Sequence, residues 1–270
     1  MKDILVHIDD GERCAVRLDI AIGLAKKFGA RLTGLFARIE SHKPSSVAHR
    51  ASEGFETARA NAQAAFLAKV NAAGLSSRWW QLSHGEAGHV LSETMFCARF
   101  ADLVVMGQHE PKSKLLPEDL IEHIVLHSGR PVLVIPHTGA FPTVGERIAV
   151  AWNAGREAVR ALNDAKPLMA VAQSVTVLSM RGPEDGASAL YEVPQVDVLD
   201  HLVTNGIKAG GERLAGEHIG KMDMLLSRLC DLGADLVVMG AHGHYGLSLK
   251  RGSGTRYVLA HMTIPVLMSN

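Results

Sequence analysis

Residues 239–255 read Met-Gly-Ala-His-Gly-His-Tyr-Gly-Leu-Ser-Leu-Lys-Arg-Gly-Ser-Gly-Thr, the densest chemical signal in the chain. Five glycines here let backbone amides approach a ligand closely and adopt positive φ. Gly252-Ser253-Gly254-Thr255 stands where a helix should begin. Unpaired amides and the helix dipole favour an anion at such a place. Ser253 and Thr255 add hydroxyl donors, and Lys250-Arg251 can neutralise phosphate. The chemistry implied is the holding of a phosphate-bearing ligand. A glycine-rich strand-to-helix loop can equally serve only to turn the chain.

Signals for bond-making chemistry are weak. There is no GxxxxGK[ST] loop, and no GxSxG elbow surrounds Ser253. Glu157 and Asp164 share a helix without a matching partner. His242-x-His244 and the pair His84 and His89 stand out among 14 histidines, but no HExxH or cysteine pair accompanies them. No resident metal is expected. Cys14 opens a helix after a strand, a place that can lower a thiol pKa, although a small buried residue suits that position as well.

The elements that must position this loop are written twice. Ala-Asp-Leu-Val-Val-Met-Gly occurs at 101–107 and again at 234–240, followed by Pro131-Val132-Leu133 and Pro265-Val266-Leu267. Apolar runs give strands at 4–8, 31–37, 77–82, 102–106 and 131–135, and again at 147–152, 174–180, 207–210 (weakly), 235–239 and 264–268. Helical spacing fills 13–28, 51–73, 87–99 and 118–127, then 156–172, 219–231 and a stretch from 253. Pro167 should kink or split the helix at 156–172, and 181–205 should hold at most one short helix. Trp79 and Trp80 should face opposite sides of their strand. Strands alternating with helices imply crossovers and parallel sheets. The reading is α/β with two tandem five-stranded parallel open-sheet domains, 1–140 and 146–270, joined through the linker-like 137–143. In an open parallel sheet ligands meet the carboxyl ends of the strands, where both post-repeat loops fall.

Composition narrows the function classes. Lys+Arg and Asp+Glu are both 28, split 16 and 15 before residue 141 and 12 and 13 after it, so neither half has the basic excess of a nucleic-acid binder. No apolar run approaches the ~18 residues of a membrane span. Three widely spaced cysteines and no leader-like amino terminus point to the cytoplasm.

The glycine loop resembles the carboxyl-terminal signature of the universal stress protein family: glycine, two residues, glycine, nine residues, glycine, then serine or threonine. Gly240, Gly243 and Gly252-Ser253 match, with eight residues instead of nine in the long gap. Arg256, His261-Met262 and Pro265-Val266-Leu267 also resemble that family. The resemblance implies Rossmann-like domains of the adenine nucleotide alpha hydrolase type, packed as a pseudo-dimer in a monomer or homodimer. It also implies, in some members, an ATP site, with Mg²⁺ a possible companion. Carried over, that site comprises Asn153, Val177, Met239, Gly240, Gly243, Gly252, Ser253, Gly254 and Thr255. Asn153 stands where binding members have Asp, and loses its charge. In the first unit Asp9 is present, but Glu110 fills the second glycine position and Pro117-Glu118-Asp119 replaces the Gly-Ser turn. Carboxylates there would repel a triphosphate, so the first site is expected to be degenerate. The expectation is a stress-related binding module with an adenine-nucleotide site in the second domain and at most slow ATP hydrolysis. The alternative is an interaction module or carrier of an apolar ligand, with Phe55, Phe66 and Trp80 lining a pocket.

Overall fold

The computed structural model describes residues 1–40, 51–110, 113–179, 197–214, 220–243 and 253–270. The chain divides into two compact units, Met1–Ala140 and Phe141–Asn270. In the first, β1 (Asp3–Ile8), α1 (Cys14–Phe28), β2 (Arg31–Phe36), α2 (Glu53–Ala72), β3 (Ser77–Gln81), α3 (Ala87–Ala98), β4 (Leu103–Gly107), α4 (Leu120–His127) and β5 (Val132–Ile135) alternate. The second holds β6 (Arg147–Trp152), α5 (Arg156–Met169), β7 (Ser174–Ser179), α6 (Val198–Thr204), β8 (Gly210–Arg213), α7 (Lys221–Asp231), β9 (Leu236–Gly240), α8 (Ser253–His261) and β10 (Val266–Ser269). Strand order is β3-β2-β1-β4-β5 in one and β8-β7-β6-β9-β10 in the other. All these pairings are parallel. Each sheet reverses its winding beside its first strand, between β1 and β4 or between β6 and β9, where an open sheet leaves a crevice.

The duplicated heptapeptide supplies the inner strands. Leu103–Met106 and Leu236–Met239 are buried, as continuous apolar character demands of a strand covered on both faces. Its aspartate has a structural task in both copies. Asp102 Oδ2 accepts the Lys2 and Asp3 amides at 2.6 and 3.1 Å. Asp235 Oδ1 accepts those of Gly145, Glu146 and Arg147 at 3.1, 3.0 and 2.8 Å. The repeat thus fixes where the first strand of each unit enters the sheet.

Three local features differ from, or sharpen, the sequence reading. Helix α5 runs unbroken through Pro167, which sits in its last turn. Leu168 and Met169 are buried just beyond it and hold that turn in place. Strand β8 begins at Gly210, because Ile207 is taken up by the core at the end of α6, its amide bonded to Leu202 O at 2.9 Å. Phe55 and Phe66 are fully buried, and they pack with Phe36 and Trp79 at centroid distances of 5.4 Å. A Cβ on Gly34 would come within 2.8 Å of the Phe66 ring. Trp80 faces the other side, under the Arg78 guanidinium at 4.2 Å. Phe36, Phe55 and Phe66 fill a core against Trp79, while Trp80 stays half-buried.

Candidate functional site

Strand β6 ends at Trp152, and the chain turns at once. Asn153 Oδ1 accepts the Gly155 amide at 2.9 Å, and Ala154 takes φ 58°. This side-chain turn delivers Gly155 as the N-cap of α5. At the neighbouring strand end, Gly240 meets the first turn of α5 so closely that a Cβ would lie 2.5 Å from Ala158 N and from Glu157 C. Only glycine allows that approach. His242 then adopts φ 56°, and its amide donates to Thr255 Oγ1 at 2.7 Å. That bond ties the exit of β9 to the first turn of α8, and both residues are buried. Asn270 Nδ2 donates to Ala241 O at 2.8 Å and braces the same loop.

Asn153, Gly240, Gly243 and Thr255 thus meet around the switch point of the second unit. Met239 lies in β9 beside Ala151 of β6. Val177 is buried in β7, one strand further out, paired with Val150 and Gly211. Gly254 turns toward α7, and a Cβ there would touch Met222 Sδ at 3.4 Å. Gly252, the Ser253 side chain, Lys250, Arg251 and His244 lie outside the described residues.

One group read from the sequence as having no partner stands in this crevice. Glu157, in the first turn of α5, is 9 % exposed, and its Oε2 lies 3.2 Å from where a Gly243 Cβ would be. Its charged neighbour is Arg156, at 3.6 Å on a side chain 79 % exposed. The signal available was its spacing, one helical turn after the Asn153 turn.

The first unit repeats the turn and changes the chemistry. Asp9 Oδ1 accepts the Gly11 amide at 3.0 Å, as Asn153 does for Gly155. Arg13 and Glu157 stand four residues after those turn residues, and Arg17 and Ala161 eight after. The crevice next to Gly107 is occupied by Arg17. A Cβ on Gly107 would overlap its guanidinium. Arg17 is 3 % exposed, with Nη2 3.0 Å from Asp9 Oδ2, and its Nε donates to His7 O at 2.6 Å. His7 is fully buried, and its Nε2–H donates to Ala37 O at 2.7 Å. Burial, then the Arg17 charge, lowers the His7 pKa to about 4, so the ring is neutral at pH 7. Burial would raise the Asp9 carboxyl, but Arg17, His7 and the Gly11 amide together hold it below its usual range. Burial raises the Cys14 thiol, which makes it a poor nucleophile. The remaining cavity, lined by Arg13, Cys14, Gln108, His109, Glu110 and His137 among others, is about 60 Å³. That is room for a few waters.

His84 and His89 stack at 4.0 Å, with His89 Nε2 3.3 Å from Ser83 Oγ. Among the described residues no cluster of three or more His, Cys, Asp or Glu could hold a metal. No described helix is long and apolar enough to cross a membrane.

Comparison with known proteins places this geometry. The model of the universal stress protein family matches residues 1–136 and 212–270. A universal stress protein from Archaeoglobus fulgidus DSM 4304 superposes with TM-score 0.73 at 18 % identity, covering 99 % of this chain and 98 % of its own. A Pseudomonas aeruginosa UCBPP-PA14 protein described as a universal stress protein gives 0.65 at 18 %, covering 100 % and 93 %. A universal stress protein from Archaeoglobus fulgidus in complex with dAMP matches 50 % of this chain and 97 % of its own at 12 % identity, with TM-score 0.36. No curated protein matches the sequence.

Proposed function

The chain belongs to the universal stress protein family, and from that premise we propose that its second unit binds an adenine nucleotide, ATP, in the crevice between β6 and β9. The protein then acts as a cytoplasmic, nucleotide-responsive binding module in a stress response. The observation that carries this is the His242 amide bond to Thr255 Oγ1 at 2.7 Å. It sets the first turn of α8 beside the end of β9, next to the Asn153 turn. Amides at a helix start and a polar turn at the switch point are what a phosphorylated nucleoside requires. Asn153, Val177, Met239, Gly240, Gly243, Gly252, Ser253, Gly254 and Thr255 are the residues assigned to the site. Gly240 serves by letting α5 pack against β9, and Gly254 by packing against Met222. Mg²⁺ would neutralise the phosphates, since it is commonly held by one or two carboxylates plus the phosphates themselves.

The test is calorimetric titration of nucleotide-free protein with ATP and Mg²⁺, with Trp152, adjacent to Asn153, as a fluorescent reporter. Saturable heat, a thermal shift and a change in Trp152 emission are expected. No heat and no thermal shift at millimolar ATP would overturn the reading. Gly243→Glu, which imitates Glu110 of the first unit, should abolish binding. Survival of full affinity in that variant would move the ligand elsewhere.

A further inference from the structure

A carboxylate in the first turn of a helix is ordinary when water surrounds it, because the dipole favours it there. The Glu157 side chain is only 12 % exposed, and among the described residues no hydrogen bond reaches its carboxylate. Its one ion-pair neighbour is a largely exposed arginine at 3.6 Å. Burying a carboxylate on those terms is costly unless a cation or strong donor completes it. The side chain is aimed at Gly243, the glycine assigned to the phosphate loop, where Oε2 comes within 3.2 Å of a would-be Cβ. A free polyphosphate entering there meets like charge.

We propose that Glu157 makes the second-unit crevice selective for the divalent-metal complex of its ligand, by holding Mg²⁺ against the phosphates and repelling the metal-free form. The proposal rests on the nucleotide reading above. The described residues hold no cluster of carboxylates or imidazoles able to cage a metal alone. One carboxylate suffices when phosphates supply other oxygens, because Mg²⁺ keeps several waters and takes few protein ligands. Metal and nucleotide therefore strengthen each other's binding by the same factor. Arg13, which occupies the matching position in the first unit, is a cation and offers no such group.

The experiment compares wild type with Glu157→Gln, a near-isostere without charge, in ATP titrations followed by calorimetry and Trp152 fluorescence. Each is run with excess Mg²⁺ and with EDTA, at matched ionic strength. Wild type should bind the magnesium complex about tenfold or more tightly than metal-free ATP, within the usual span of coupling between sites. Glu157→Gln should lose that preference, and should bind metal-free ATP more tightly than wild type does. Glu157→Asp, which keeps the charge on a shorter arm, should retain part of the preference and decides the matter if Glu157→Gln does not fold. Equal wild-type affinity with and without Mg²⁺, or a preference unchanged in Glu157→Gln, overturns the role of Glu157 and leaves the nucleotide site standing. No ATP binding in any arm overturns both.

Discussion

Arg17→Met tests the logic of the filled first crevice. The substitution keeps length and apolar bulk but removes the charge that sits 3.0 Å from Asp9 Oδ2 and the Nε–H that donates to His7 O at 2.6 Å. Asp9 is 7 % exposed, so its carboxylate would be left buried with only the Gly11 amide and a neutral His7 beside it. Breaking such a pair from one side costs about 3–5 kcal/mol, a large part of the ~5–15 kcal/mol that holds a domain folded. The cost depends on pH in a defined sense. With Arg17 present, Asp9 is held below its usual pKa, so the pair's stability is in place at neutral pH and is lost as acid protonates the carboxylate. Without Arg17, burial raises Asp9, and His7 is freed from the positive neighbour that lowers it. A proton taken up by either residue relieves the defect. The penalty should therefore be about 4 kcal/mol at pH 7 and fall to half or less near pH 4.5. Urea unfolding in a Trp152→Phe background measures it, since Trp79 and Trp80 then report the first unit alone. Asp9→Asn keeps the turn, as Asn153 shows it can. Combined with Arg17→Met it should recover most of the loss. A penalty below about 1 kcal/mol, an equal penalty at both pH values, or a double variant no better than Arg17→Met would refute the account.

Other consequences are as direct. Gly240→Ala drives a Cβ into the backbone of Glu157 and Ala158 and should cost the second unit about 1–3 kcal/mol or more in thermal unfolding, with or without ligand. Thr255→Val removes the acceptor of the buried His242 amide. A loss of about 1–3 kcal/mol is expected, together with weaker ATP binding, read by denaturation and calorimetry. His7 ionises near pH 4 when folded and near 6.5 when unfolded, so its stabilising neutrality is complete above about 6.5 and is lost as pH falls toward 4. His7→Gln should flatten that part of the stability–pH curve by about 3 kcal/mol.

The duplicated heptapeptide made the fold legible, because a buried parallel strand must be apolar throughout and two copies of one must sit in two similar sheets. Its aspartates, Asp102 and Asp235, pin the first strand of each unit. The turns around the second-unit crevice were legible where glycines mark them. What escaped were side chains whose meaning depends on a partner distant in sequence. Arg17 heads the apolar stripe of α1 that continues through Ile20, Ala21 and Leu24, and a charge there signals a buried counter-ion, but not which one. Glu157 acquires its meaning only when Gly243 is folded against it. Pro167 does not split α5, because the rule against interior proline weakens in a last turn held by its own buried residues.

The filled crevice beside Gly107 has a consequence for how the molecule responds to its surroundings. On the proposed reading nucleotide binds the second unit and not the crevice that Arg17 occupies, so the melting of the first unit should be insensitive to nucleotide levels. The second unit, if it takes nucleotide, gains stability as RT ln(1 + [L]/Kd). One polypeptide would then carry a thermometer and its fixed reference mark, with nucleotide supply moving only one of them.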